Sequence, residues 1–220
     1  MQEIAYQVVR SNRKSVALVI DNEANLIVRA PLHMQDSVID EFVQKKKRWI
    51  SEKQQQVSVF GEKHPPVVVE TGESLMYLGS TYAIIKDAVD GVQIAGNELI
   101  VPNEYGIEEM TAWMKSKALR IITERVSNYA GIMGVTPGDI KLSDAKARWG
   151  SCSTKNNLNF AWRLIMCPLS VIDYVVVHEL SHITYKNHSP AFWARVKTVL
   201  PNYEDDQDWL KVNKKLMEII

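Results

Sequence analysis

The spacing of apolar residues is strand-like over the first hundred residues and changes near Pro102. Residues 6–10 and 16–20 are rich in β-branched side chains, and the polar segment 21–25 separates the second run from residues 26–29. Short apolar runs separated by polar residues are typical of β-strands. The pattern therefore predicts a β-hairpin from residues 16–20 and 26–29.

One helix is predicted within this part of the chain. Asp36 or Ser37 can cap it, and apolar residues recur at mostly helical spacing as far as Ile50. A polar, Gln-rich stretch at residues 54–56 follows the helix. Further strands are then predicted around residues 67–69, 76–78, 82–85, 92–95 and 99–101, because glycines punctuate these apolar runs.

A long amphipathic run from residue 107 to residue 133 predicts a helix after Pro102. We therefore expect an N-terminal β-rich module with one helix over residues 1–102 and a second domain over residues 103–220. In the second domain, strands are predicted at residues 140–142 and 158–164, on either side of a Gly-Ser-rich turn at residues 149–153. The apolar run that begins at Ser170 fits a helix or a buried strand equally well. The expected fold class is α+β.

Composition narrows the possible functions. Lys and Arg together number 26, as do Asp and Glu, so the net charge gives no reason to expect strong binding to nucleic acid or to an anionic membrane. The start of the chain lacks the pattern of a secretory signal, and no stretch approaches the roughly 20 apolar residues of a membrane span. The two cysteines, Cys152 and Cys167, are too few for a disulfide framework. We expect a cytoplasmic protein with free thiols.

The strongest chemical signal is the segment His178-Glu179-Leu180-Ser181-His182. Two histidines four residues apart lie about 40° apart around a helix, so both imidazoles face the same side. The residue composition predicts only roughly 0.008 such motifs in a chain of this length. The alternative is that both histidines are satisfied core residues and that Glu179 is an ordinary helix residue.

A catalytic zinc ion usually has three protein ligands, and His188 is the candidate for the third. On an uninterrupted helix, His188 would lie roughly 9 Å beyond His182 and about 120° around the axis, too far to share an ion. We therefore predict that the helix breaks at residues 185–187 and that a new helix starts at residues 189–190. His188 as a surface residue is the alternative, with Glu204, Asp205 or Asp206 as the reserve ligand.

With three ligands in place, a metal can lower the pKa of a bound water from 15.7 to about 7, and Glu179 can take the proton as general base. This set of groups predicts amide hydrolysis. A Cys-His enzyme built on Cys152 is the weaker hypothesis, since nothing in the sequence indicates a lowered thiol pKa. Tyr185, Arg195 and Tyr203 could stabilise an oxyanion, but residues of these types beside a helix usually pack or stay solvated, so we do not assign them to the catalytic set.

Several segments together resemble the YgjP-like metallopeptidase family. They are residues 148–153, residues 158–164, the His-Glu motif, and residues 187–193, in matching order and spacing. The resemblance implies a zincin-like catalytic domain, related to minigluzincins and SprT-like metalloproteases, over residues 103–220. It also implies that Zn²⁺ is bound by His178, His182 and His188. The extended substrate of zincins commonly pairs with an edge strand, which suggests residues 159–163 for that strand.

The predicted function is therefore a zinc metallopeptidase that acts on a peptide or protein substrate, with no membrane partner. Two other functions stay open. One is a nucleic-acid-associated repair protease, suggested by the SprT-like resemblance and disfavoured by the neutral net charge. The other is a zinc-binding scaffold or adaptor without turnover, in which the N-terminal module covers the cleft as a lid. The sequence does not define the substrate specificity or the oligomeric state.

Overall fold

The computed structural model describes residues 4–21, 24–63, 68–214 and 216, and the chain divides into two compact units, residues 1–66 and 67–220. Helices and three small sheets are mixed along the described residues, so the α+β class is confirmed. None of the helices in these described ranges is both long enough and apolar enough to cross a membrane.

The first unit is a three-stranded sheet with two helices. Its elements are β1 (Tyr6–Ser11), β2 (Ala17–Ile20), β3 (Leu26–Pro31), α1 (Asp36–Lys45) and α2 (Lys47–Lys63). The central strand, β3, pairs antiparallel with β2 and parallel with β1, which confirms the predicted hairpin. Alternate residues of β3 are buried and share one core with Ile39, Val43 and Ile50 of the helices. The single predicted helix is in fact two, divided at Lys46, and α2 continues through the Gln-rich stretch.

The second unit begins with a four-stranded sheet of order β4-β5-β7-β6. Its strands are β4 (Ser74–Tyr77), β5 (Ser80–Asp87), β6 (Gln93–Ala95) and β7 (Glu98–Pro102). The remaining elements are α3 (Ile107–Met133), β8 (Ile140–Ser143), β9 (Gly150–Cys152), β10 (Leu158–Ala161), a short 3₁₀ helix (Trp162–Met166), α4 (Leu169–Thr184), α5 (Pro190–Val199) and α6 (Tyr203–Val212). A strand around residues 67–69 was predicted; residue 67 lies outside the described residues, and residues 68 and 69 are not in a strand.

The compact units divide at residues 66 and 67, whereas the sequence pattern changes at Pro102. The reason lies in the turn after β4. The backbone N–H groups of Leu78 and Gly79 donate to the carbonyl groups of Ile165 and Met166, at 2.8 and 3.0 Å. Gly79 has φ +80°, and a Cβ there would lie 2.8 Å from the ring of Pro168. This close approach ties the β4–β7 sheet to the following helical part.

The third sheet has the order β8-β10-β9, so β10 lies in its centre. The prediction that residues 159–163 form a substrate-facing edge strand is therefore wrong. Both sides of β10 are already hydrogen-bonded, one to β8 and one to β9, and residues 162–163 belong to the 3₁₀ helix. The edge strand on the α4 side of this sheet is β9, since β9 contacts α4.

Candidate metal centre

The apolar run that begins at Ser170 forms a helix, α4, and not a buried strand. It starts at Leu169 and runs to Thr184, and most of its first three turns are buried. Its partner along one side is α3, and Arg125 of α3 donates to both carboxylate oxygens of Asp173 at 2.5 and 2.6 Å. This bidentate pair, together with the apolar packing, holds α4 in the interior. The first histidine of the motif therefore lies on a well-fixed helix.

The predicted helix break is confirmed. Tyr185 ends α4 in an extended conformation, and α5 starts at Pro190 with Ser189 as its cap. The Ser189 hydroxyl accepts from the backbone N–H of Phe192 at 3.4 Å. The chain between the two helices turns back, and this turn carries His188 toward the histidines of α4.

The ligand-capable atoms of His178, His182 and His188 all lie within 4.8 Å of one another. The Nε2 atoms of His178 and His188 are 3.0 Å apart. Two nitrogens bound to a tetrahedral zinc at about 2.0–2.1 Å would be about 3.3 Å apart, so little rearrangement separates the observed positions from a ligand set. These three side chains could hold a metal ion.

A hydrogen bond fixes the tautomer of His182. Its Nδ1 lies 3.0 Å from the carbonyl oxygen of Tyr185, which can only accept, so Nδ1 carries the proton. Nε2 is then left with its lone pair, as a metal ligand requires. In contrast, Nδ1 of His178 is buried without a partner among the described residues.

Aromatic rings surround the three imidazoles. The ring of Phe192 lies 4.6–4.9 Å, centroid to centroid, from each of the three histidine rings. A parallel stack then runs outward from His188 through Trp193 and Tyr203 to Tyr174, with successive interplanar angles of 23°, 14° and 15°. The stack supports the one ligand that does not lie on α4. The sequence predicts a helix after residue 189, but it does not indicate that rings from α4, α5 and α6 stack together.

Burial disfavours positive charge on His178 and His182 and negative charge on Glu179, as the directions of their pKa shifts show. Burial, followed by the nearby rings of His182 and His188, lowers the pKa of His178 to about 3. Burial raises the pKa of Glu179 to about 7, and the positive charge of Arg148 opposes that rise. Neutral imidazoles are the form that binds metal. Glu179 is only 5% exposed, and its Oε2 has no hydrogen-bond partner among the described residues.

Strand β9 passes very close to Glu179. A Cβ at Gly150 would lie 2.6 Å from Oε1 of Glu179 and 2.8 and 2.9 Å from its Cγ and Cδ. The sequence predicts a turn at residues 149–153. The structure puts Gly150 in a strand, where the missing side chain makes room for the carboxylate. Trp149 is half-buried and lines a pocket with Tyr174.

The other candidate site residues do not belong to the cluster of three histidines. Burial raises the pKa of the Cys152 thiol, which is the opposite of what a nucleophile needs. Arg195 donates to the carbonyl of Met133, and Glu204 pairs with Lys197 at 3.3 Å. Asp205 and Asp206, in the first turn of α6, are not in the metal-capable group, which among the described residues consists of the three histidines.

Comparison with known proteins gives a family match and a partial structural likeness. The family model described as YgjP-like, metallopeptidase domain, matches residues 14–213. The solved structure of the metallopeptidase zymogen of Methanocaldococcus jannaschii jannalysin is 23% identical to this chain. The match covers 43% of this chain and 96% of that one, with a TM-score of 0.38. No curated protein matches at a significant level.

Proposed function

Because this chain belongs to the YgjP-like metallopeptidase family, we propose that it is a zinc-dependent peptidase in which His178, His182 and His188 hold the metal and Glu179 is the general base. The observation that carries the proposal is the convergence of three imidazoles within 4.8 Å beside a buried carboxylate. A set of two histidines from one helix and a third from the following turn suits a metal that keeps one position open for water or substrate.

Zinc fits the donor set better than a hard cation does. Imidazole nitrogens suit zinc and its neighbours in the transition series, whereas magnesium and calcium prefer oxygen ligands. A bound zinc ion would supply a Lewis acid that lowers the pKa of water and polarises a carbonyl group. The structural type of zinc site normally has four protein ligands, and the described residues offer three.

In this proposal, Glu179 takes the proton from the water that attacks the peptide carbonyl and then returns a proton to the leaving amine. Its position supports both steps. One carboxylate oxygen, Oε2, makes no structural hydrogen bond among the described residues, so it is free to bind a water molecule. The close approach of Gly150 to Oε1, Cγ and Cδ restricts where the side chain can turn.

We propose that β9, rather than β10, binds the substrate backbone. Ala161 donates to the carbonyl of Trp149, and Ser153 donates to the carbonyl of Asn157, at 2.8 and 2.9 Å. Backbone groups alternate in direction along an antiparallel strand, so Ser151 bonds to β10 while the N–H and C=O groups of Gly150 and Cys152 point to the free edge. An extended peptide can add to this edge beside Glu179, and antiparallel pairing is the more stable arrangement.

Metal removal and replacement tests the proposal. The purified protein is stripped with a chelator and reconstituted with zinc, and cleavage of a mixed peptide library is followed by mass spectrometry. We expect cleavage to disappear on stripping and to return with one equivalent of zinc. His188→Ala should bind zinc more weakly and lose cleavage at low zinc concentration. Tight zinc binding with no cleavage of any peptide would favour a scaffold role, and failure to bind zinc would refute the metal centre.

A further inference from the structure

A pocket of about 290 Å³ opens beside the metal centre, and its walls carry an excess of positive charge. Its cationic side chains are Lys146, Arg148, Lys211 and Lys214, and none of its described lining residues carries a carboxylate. The chain as a whole has no net charge, so four cations around one pocket are a local concentration. A concave surface lined by one sign of charge attracts ligands of the opposite sign.

Among the described residues, one of these four cations forms an ion pair. Lys211 pairs with Asp208 at 2.7 Å. Over the described ranges, no carboxylate oxygen lies within 4.0 Å of the other three cations. Three cations that have no carboxylate within pairing distance among the described residues would be stabilised by a bound anion.

The pocket adjoins the proposed catalytic groups. Tyr174 lines the pocket, and its ring meets that of His178 edge to face at 5.8 Å. Trp149, which directly precedes the edge strand, also lines the pocket. Arg148 is close enough to Glu179 for its charge to act on that carboxyl group. A ligand in the pocket would therefore lie next to the bond that is cleaved.

The direction of β9 indicates which part of a substrate reaches the pocket. β9 runs from Gly150 to Cys152, and the pocket lies before its first residue. A peptide antiparallel to β9 runs the opposite way, so its C-terminal part passes Gly150 and continues toward Trp149 and Arg148. The residues after the scissile bond are thus the ones that meet the positive charge.

We propose that this pocket binds a carboxylate on the C-terminal side of the scissile bond, which makes the enzyme selective for acidic peptides. The inference rests on the proposed peptidase function. Two sources provide the same chemistry: the side chain of an Asp or Glu just after the cleaved bond, or the terminal carboxylate of a short peptide. A carboxylate near several cations is bound through charge-assisted hydrogen bonds.

Three short peptides with a metal-chelating hydroxamate at the N-terminus distinguish these sources. The first has an Asp side chain and an amidated C-terminus, the second has Asn and a free C-terminal carboxylate, and the third has Asn and an amidated C-terminus. Calorimetry measures the Kd of each for the zinc-loaded full chain. At least one carboxylate peptide should bind about tenfold more tightly than the neutral one, and more so at low salt. The carboxylate peptide that binds more tightly identifies which carboxylate, side-chain or C-terminal, the pocket recognises.

A matched pair of charge reversals assigns the effect to the pocket. Lys214→Glu reverses a pocket cation, and Lys141→Glu makes the same change at an exposed position of β8 that does not line the pocket. We expect the carboxylate preference to be lost in Lys214→Glu and retained in Lys141→Glu. Equal loss in both variants would mean a long-range charge effect and would overturn the inference. Equal binding of all three peptides to the wild type would also overturn the inference, while leaving the metal centre supported. If none of the peptides binds and the protein contains no zinc, the proposed function itself is refuted.

Discussion

The substitution Gly150→Ala tests whether the position of Glu179 depends on the close approach of β9. The new Cβ would lie 2.6, 2.8 and 2.9 Å from three atoms of the Glu179 side chain. Contacts this short require movement, and Glu179 is only 5% exposed, so the carboxylate has little space to retreat. Either Glu179 shifts or β9 moves away from α4. Overpacking of this kind costs about 1–3 kcal/mol of stability.

The effect on catalysis should exceed the effect on folding. A displacement of about 1 Å in a catalytic group can lower the rate about 100-fold. We therefore expect kcat/KM for peptide cleavage to fall by about that factor, while zinc content stays at one equivalent because the histidines are not touched. The assay measures cleavage rate, zinc content and urea-induced unfolding on the same preparation.

Gly131→Ala is the matched control. Gly131 lies within α3, and a Cβ there would meet nothing within 4 Å. Alanine inside a helix should stabilise the protein by about 0.5–1 kcal/mol and leave cleavage unchanged. If Gly150→Ala instead cleaves peptides within about twofold of the wild type, Glu179 is not held by this contact and the reasoning fails.

Three further predictions concern packing around the site. Asp173→Asn should lower the free energy of unfolding by about 2 kcal/mol, somewhat below the range for fully buried ion pairs because Arg125 is partly exposed; urea titration checks this, and a change under about 0.5 kcal/mol would contradict it. Trp193→Leu removes the ring stacked on His188 and should weaken zinc binding about tenfold in a chelator competition. Trp193→Phe keeps an aromatic ring and should retain most of the zinc affinity. Equal zinc affinity of the wild type and both variants would count against a positioning role for Trp193. An alkylating reagent should label Cys152 alone in the native protein, because Cys167 is fully buried and its burial raises the pKa of its thiol. Mass spectrometry before and after denaturation distinguishes one label from two.

The convergence of the histidines was predictable because it depends on local geometry. Helical periodicity puts His178 and His182 on one face, and the same periodicity excludes His188 unless the helix ends. The residues after the break are themselves informative, since a serine followed by a proline, as at Ser189 and Pro190, commonly starts a helix. The prediction of the break therefore followed from the chemistry that a three-histidine site requires.

The strand that we propose to face the substrate was not predictable in the same way. Strand β9 consists of Gly150, Ser151 and Cys152, which resemble a turn more than a strand, whereas residues 158–161 have the apolar character of a strand because they are central and mostly buried. The order of strands in a sheet depends on pairing between distant parts of the chain. An edge strand beside a ligand site can therefore be short and polar and still be the functional one.

The compact units divide between residues 66 and 67, whereas the change in periodicity lies near Pro102, for a related reason. The change from strands to a long helix at Pro102 is visible in the periodicity, but a change of secondary structure need not coincide with a boundary between compact units. The hydrogen bonds from Leu78 and Gly79 to the 3₁₀ helix join segments almost 90 residues apart. Similarly, the three rings stacked in series on His188 belong to three different helices, and only the folded chain brings these rings together.

The most direct test of the central claim compares the wild type with Glu179→Gln, measuring zinc content and peptide hydrolysis together. Glutamine nearly preserves the size of the side chain and leaves the three histidines intact, but it cannot accept the proton. The proposed mechanism predicts one equivalent of zinc in both proteins and hydrolysis by the wild type alone. Equal hydrolysis by both proteins would contradict the role of Glu179, and the absence of bound zinc from both would contradict the metal centre.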